Sequence, residues 1–271
     1  MRKPIVAIFV FAALCFLSAC SCGKKVEIPD AETAEKFSGT AEYVALSEVK
    51  DGKIAAYIFM DEILKCEDYY YEKEGETKTT ALILHVTQKI SSRRIKRGNE
   101  YYVFDKSESS FMNTFHQALF SLGAVAYRDG EKDKIIKADV ESYRAEYGVT
   151  PEMRTIEGFI VNEKTVLSSE ISEKEDGSFE INLELDGNLG GYFVRTQMKK
   201  SGDLDDYPEF ESVYITLCLN PDYFPIKTVI KSKYTAKKIF NNDCEQTLTA
   251  VYKKEKAEIP DYSELRGVLY S

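Results

Sequence analysis

Tryptophan is absent from the 271 residues, and histidine occurs only twice. Proline is sparse (7 residues), and no Cys-x-x-C pair occurs beyond residue 22. Each scarcity excludes something. Two histidines leave little material for a His-rich metal centre or a histidine-based triad, and without close cysteine pairs there is no zinc knuckle or thiol-exchange motif. No Gly-rich loop precedes a helical pattern, so no phosphate cradle is expected. Basic excess is missing too: 45 Asp+Glu outweigh 36 Lys+Arg for a net charge of −9, which argues against nucleic acid as a partner and against electrostatic docking on anionic lipid. No cofactor motif is present. The only long uncharged apolar run is Pro4–Leu17, short for a membrane span.

What is present begins with Arg2 and Lys3, then that apolar run, then Leu17-Ser18-Ala19-Cys20. A basic start, a short apolar core and small residues before a cysteine read as an export signal. The four residues resemble the lipobox of bacterial lipoproteins, in which the cysteine takes a diacylglycerol and becomes the first mature residue. The resemblance implies residues 1–19 as signal peptide and Cys20 as the lipidation site. Two acyl chains suffice for stable attachment to the cell membrane on its extracytoplasmic face. Residues 20–40 are polar with scattered Gly and Pro and read as a tether. Cys22, Cys66, Cys218 and Cys244 then remain; their pairing is open, with small buried thiols the plainer reading.

Residues 41–271 are read as a single β-rich domain. Eighteen tyrosines and fifteen phenylalanines suit pleated, half-buried surfaces. Period-2 patterning and turn residues predict strands over Ala41–Val49, Lys53–Leu64, Asp68–Glu74, Thr79–Ile90 and Tyr101–Phe104. A second block covers Ile156–Val161, Thr165–Ser172, Ser178–Leu185, Tyr192–Lys199, Glu211–Leu219, Ile226–Ile239 and Cys244–Lys253, the last three as a meander. Gly187, Gly190 and Gly191 read as turn glycines. Between the blocks, about 108–147, lies a helical insertion. Its core is the stripe Phe111, Phe115, Leu119 and Leu122, capped by serine and ending near Gly123. Lys134–Tyr147 fits helix or strand.

Tether, strand blocks and one apolar helix look like the half-barrels of the LolA/LppX type. The stretch Glu146–Pro151, the run Met198–Pro208 and the final cysteine-bearing strand are also similar to clostridial-type lipoproteins, over most of residues 40–255. The resemblance implies a mainly β (α+β) fold: a large, curved, unclosed antiparallel sheet with an amphipathic helix on its concave face. It also implies that an acyl chain or other apolar molecule is held there, and no family residue role transfers with it.

The candidate ligand-binding set is therefore Phe111, Phe115, Leu119 and Leu122 on the helix with Phe159, Phe179, Tyr192 and Phe193 on the sheet. His85 and His116 have no informative partner in sequence, and the Asp203, Asp205, Asp206, Glu209, Glu211 cluster lacks the glycine and terminal glutamate of a calcium loop. No catalytic or metal residue is assigned. The expected function is non-catalytic binding of a lipid or other hydrophobic molecule beside the membrane. The alternative is an envelope interaction lipoprotein with a filled core and a protein partner.

Overall fold

The computed structural model describes residues 49, 51–82, 84–98, 100–109, 134–138, 153–237 and 241–258. The signal, the tether, positions 41–48 of the first predicted strand and the predicted helix with Phe111, Phe115, Leu119 and Leu122 lie outside these residues.

Helix α1 (Gly52–Lys65) comes first, followed by the long strands β1 (Asp68–Ala81), β2 (Leu84–Arg97) and β3 (Glu100–Ser109) and the short β4 (Lys134–Ala138). Then come β5 (Thr155–Ile156), β6 (Phe159–Ile160), β7 (Val166–Glu173), β8 (Phe179–Leu185), helices α2 (Gly187–Gly190) and α3 (Tyr192–Gly202), β9 (Glu209–Leu219), β10 (Pro225–Lys237) and β11 (Asn241–Lys253). Nine strands form one sheet in the order β4-β3-β2-β1-β11-β10-β9-β8-β7, antiparallel throughout. Two meanders, β1–β4 and β7–β11, are thus joined where β1 meets β11 with Tyr71 opposite Tyr252. The edges are β4 and β7, so the sheet is an unclosed half-barrel.

Alternation sets the faces. On the inner face, β8 contributes Phe179, Ile181, Leu183 and Leu185, and β9 contributes Val213, Ile215, Leu217 and Leu219, all buried. α1 lies on this face, touching β7 through β10, while its Phe59 packs edge-on against Tyr252 of β11 at 5.7 Å. Gly52 starts the helix against the β7 backbone; a Cβ there would stand 3.0 Å from the Glu170 nitrogen. Asp51 caps it by accepting from the Lys53 amide at 2.8 Å.

Several sequence expectations change. Lys53–Leu64 is helix, not strand. Ala55 through Met60 are six consecutive buried residues, and a helix buried all round shows no stripe, so its apolar run mimics a core strand. Tyr192–Lys199 is also helix, although its aromatic and β-branched start favours strand; the good helix formers Gln197 to Lys200 and inward-facing Met198 prevail. Gly187–Gly190 is itself the short helix α2 and α3 follows it, so Gly187 and Gly190 are helical rather than turn glycines between strands. Thr79–Ile90 is divided by a hairpin turn at Leu82 (φ 55°), which lacks a Gly or Asn signal. Gly75 lies inside β1 because Leu248 and Ile90 from the flanking strands close over it. Ile156–Val161 is a two-stranded hairpin turned at Glu157-Gly158, both with positive φ. Lys134–Ala138 is strand, paired with β3. The strands predicted over 165–172, 178–185, 211–219, 226–239 (described to 237) and 244–253 are present, the last three as the expected meander.

Candidate functional site

α1 covers the β7–β10 half of the inner face. Beside it, over β1–β3, a cavity of about 90 Å³ remains. Its walls are Tyr69, Tyr71, Arg94, Lys96, Tyr101 and Val103 of the sheet, Ile63 of α1, Tyr252 of β11, and Met153, Thr155, Glu157 and Gly158 around the β5–β6 hairpin. One water occupies about 10–15 Å³ by such a measure, so the space equals about six to nine waters.

Strand alternation explains the aromatic wall. In Tyr69-Tyr70-Tyr71 the outer two face inward, with rings parallel within 8° and 6.5 Å apart. Tyr71 meets Tyr252 at 5.0 Å, and Tyr252 meets Phe59, so the aromatic chain runs from the cavity into the core. Tyr70 points outward, where with Ile95, Tyr102 and Ala257 it forms a small second cluster, its hydroxyl donating to Glu255 at 2.8 Å.

The floor is charged. Lys73 Nζ lies 2.8 Å from Glu157 Oε2, with only 11% and 5% of the two side chains exposed. Burial alone raises the Glu157 carboxyl, but Lys73 and Arg94, with hydrogen bonds from Lys73 and Tyr71, outweigh it and hold the group below the usual range. Arg94 lies 6.0 Å from the Tyr71 ring centre, and Lys96 is 6.0 Å from that of Tyr69 while donating to the Leu64 carbonyl at 3.3 Å. Lys73 and Arg94 thus both act on the Glu157 carboxylate.

Of the sequence-predicted ligand residues, Phe159, Phe179, Tyr192 and Phe193 do not line this cavity. Phe159 (1% exposed) packs on Phe210 at 5.6 Å, and Phe179 is buried against Tyr223 at 6.0 Å. Tyr192 and Phe193 touch each other at 5.4 Å at the start of α3 and stay half-buried. Phe111, Phe115, Leu119 and Leu122 fall outside the described residues. The residues that do line the cavity carry one legible signal, the triple tyrosine; Arg94, Tyr101, Glu157 and Tyr252 converge only through strand register.

His85 is exposed on the β1–β2 hairpin, its Nδ1 3.0 Å from the Thr80 hydroxyl, and does not line the cavity; His116 lies outside the described residues. Cys66, Cys218 and Cys244 are free. Burial raises all three thiols, Cys244 to about 11, which leaves them protonated at neutral pH. Among the described residues no group of three or more metal-ligating side chains forms, and Asp203 caps α3 in a left-handed conformation instead. No helix among them is long and apolar enough to cross a membrane.

No family model matches the chain, and no curated protein matches it. Among solved structures, it is similar to the S-type phycobiliprotein lyase CPES from Guillardia theta at 9% identity and a TM-score of 0.28, over 76% of this chain and 98% of that one. Likeness to LprF from Mycobacterium bovis reaches 9% identity and 0.28, over 78% and 96%. A LolA superfamily protein from Nitrosomonas europaea gives 12% and 0.17, over 76% and 95%. Scores of this size assign neither ligand nor activity.

Proposed function

We propose that this is an extracytoplasmic lipoprotein, anchored at the cell membrane through Cys20, that binds a lipid or other hydrophobic molecule on the inner face of its half-barrel without catalysis. The observation that carries the reading is the tyrosine-walled cavity beside α1. An open sheet offers its inner face to a ligand, and a concave aromatic lining with a few fixed polar groups is the usual form of a small-molecule site. Contact falls to Tyr69, Tyr71, Tyr101 and Tyr252, with Phe159 and Phe179 serving the core. The stripe Phe111, Phe115, Leu119 and Leu122 is proposed as additional cover for the ligand.

The anchor rests on the Leu17–Cys20 pattern. Radiolabelled palmitate should enter the wild-type chain and not Cys20→Ala; equal labelling of both overturns the anchor. For the ligand, native mass spectrometry of residues 24–271, purified from cells without added lipid, should show a lipid-sized adduct. A ligand-free mass that stays unchanged after incubation with oleate contradicts binding. It favours instead an envelope interaction protein, a reading that the dense filling of the β7–β10 half by α1 supports.

A further inference from the structure

The β1–β2 hairpin ends on apolar residues where two-residue turns ordinarily carry Gly, Asn or Asp. Ala81 pairs with Leu84, and the residues between them are Leu82 and Ile83. Leu82 adopts φ 55°, a left-handed conformation that bulky side chains rarely take. The next hairpin of the same meander meets the same geometry in the ordinary way, with Gly98 at φ 53° followed in sequence by Asn99. Leu82 is also 72% exposed, the highest value for a large apolar side chain among the described residues. It therefore adds nothing to the core and carries backbone strain as well. A residue unfavourable on both counts within its own fold calls for a contact outside it.

The surroundings fix the chemistry of that contact. No Lys, Arg, Asp or Glu occurs between Lys78 and Lys89, in a chain of which 30% is charged. Ala81 is buried at the base of the tip, and the Thr80 hydroxyl lies 3.0 Å from His85 Nδ1 across the ladder, so the tip stands on a closed hairpin. Charge does not select the partner: across β1 and β11, Lys78 stands opposite Glu245 and Thr80 opposite Asp243. The Cys20 anchor proposed above, on which this inference rests, keeps a bilayer within a tether's length of the domain.

We infer that the β1–β2 tip dips Leu82 into the interfacial layer of a lipid bilayer, as a second membrane contact beside the lipid anchor. The contact is apolar and reaches about 5–10 Å, to the boundary of head groups and acyl chains. Anchor and tip together fix how the half-barrel is oriented on the membrane.

The chain contains no tryptophan, so Leu82→Trp introduces a single fluorescent reporter. The full chain, purified from cell membranes, is reconstituted into phosphatidylcholine vesicles with or without acyl-brominated phosphatidylcholine and recovered by flotation. Brominated lipid should quench Leu82→Trp by about twofold or more, the depth expected of an interfacial contact. Val251→Trp, an exposed position toward the other end of the β1–β11 ladder, should keep its emission. Because tryptophan itself favours interfaces, a second pair of variants reads the native leucine. His85→Trp beside an intact Leu82 should be quenched, and adding Leu82→Asn should remove most of that quenching. Leu82→Asn alone should leave the thermal midpoint unchanged or raised, since asparagine accepts the left-handed backbone. Equal quenching at positions 82 and 251, a reporter at 85 indifferent to Leu82→Asn, or a lowered midpoint in Leu82→Asn overturns the tip contact. Blue-shifted emission from Leu82→Trp that brominated lipid does not quench means that a second copy of the chain covers the tip, and overturns the bilayer as its partner. Flotation without quenching defeats the tip and leaves the anchor standing, whereas a chain that does not float defeats both.

Discussion

Glu157 joins the fold to the site. Its positive φ costs about 1–2 kcal/mol for a residue with a Cβ, and its carboxylate is removed from water onto Lys73. Because Lys73, Arg94 and the Lys73 and Tyr71 hydrogen bonds outweigh burial, the folded group ionises below its unfolded range near pH 4.3. The sign follows from linkage: the carboxylate stabilises the fold above that range, and the contribution is lost as pH falls through it toward the lower folded value. Glu157→Gln should therefore flatten the acid limb of a denaturation profile followed by circular dichroism below pH 5. At pH 7 it should cost about 3–5 kcal/mol, since Lys73 is left buried without its counter-charge. An unchanged acid limb would show that Glu157 is not held as described.

α1 decides how much of the half-barrel is free. Phe59 is 1% exposed and lies between the helix and Tyr252. Phe59→Ala should cost about 3–5 kcal/mol in urea denaturation, the usual price of an aromatic cavity in a core. Gly52→Ala separates two opposed effects. Alanine improves helix propensity by at most about 1 kcal/mol, whereas its Cβ would press on the Glu170 backbone at 3.0–3.1 Å. That backbone cannot rotate aside, and overpacking costs about 1–3 kcal/mol, so the variant should be less stable. Added stability in Gly52→Ala would place the helix off β7. The same element shows what a sequence reveals. The half-exposed strands β8, β9, β10 and β11 declare themselves by alternation, with polar Glu180, Asn182 and Glu184 between buried partners. α1 does not, since Ile54 to Met60 carry no polar face to mark a turn of 3.6 residues. The site is legible only in Tyr69-Tyr70-Tyr71. Lys73 and Glu157 are 84 positions apart, and nothing local in the chain announces that a register through β1 and the β5–β6 hairpin will bring them together.

At the scale of the whole molecule, the sheet divides into two unequal halves. Over β7–β10, α1 and the β8–β9 side chains form a continuous apolar core. Over β1–β3, tyrosines and paired charges border the remaining space. On the proposed reading, a ligand in the half-barrel lies on β1–β3, beside the helix rather than beneath it. The most direct measurement is photo-crosslinking in intact cells with a diazirine-bearing fatty acid, followed by peptide mapping. The label should concentrate on peptides containing Tyr69 and Tyr71 or Tyr101 to Val103, and excess unlabelled oleate should displace it. Label confined to the β8 and β9 peptides, or insensitive to competitor, would contradict the account.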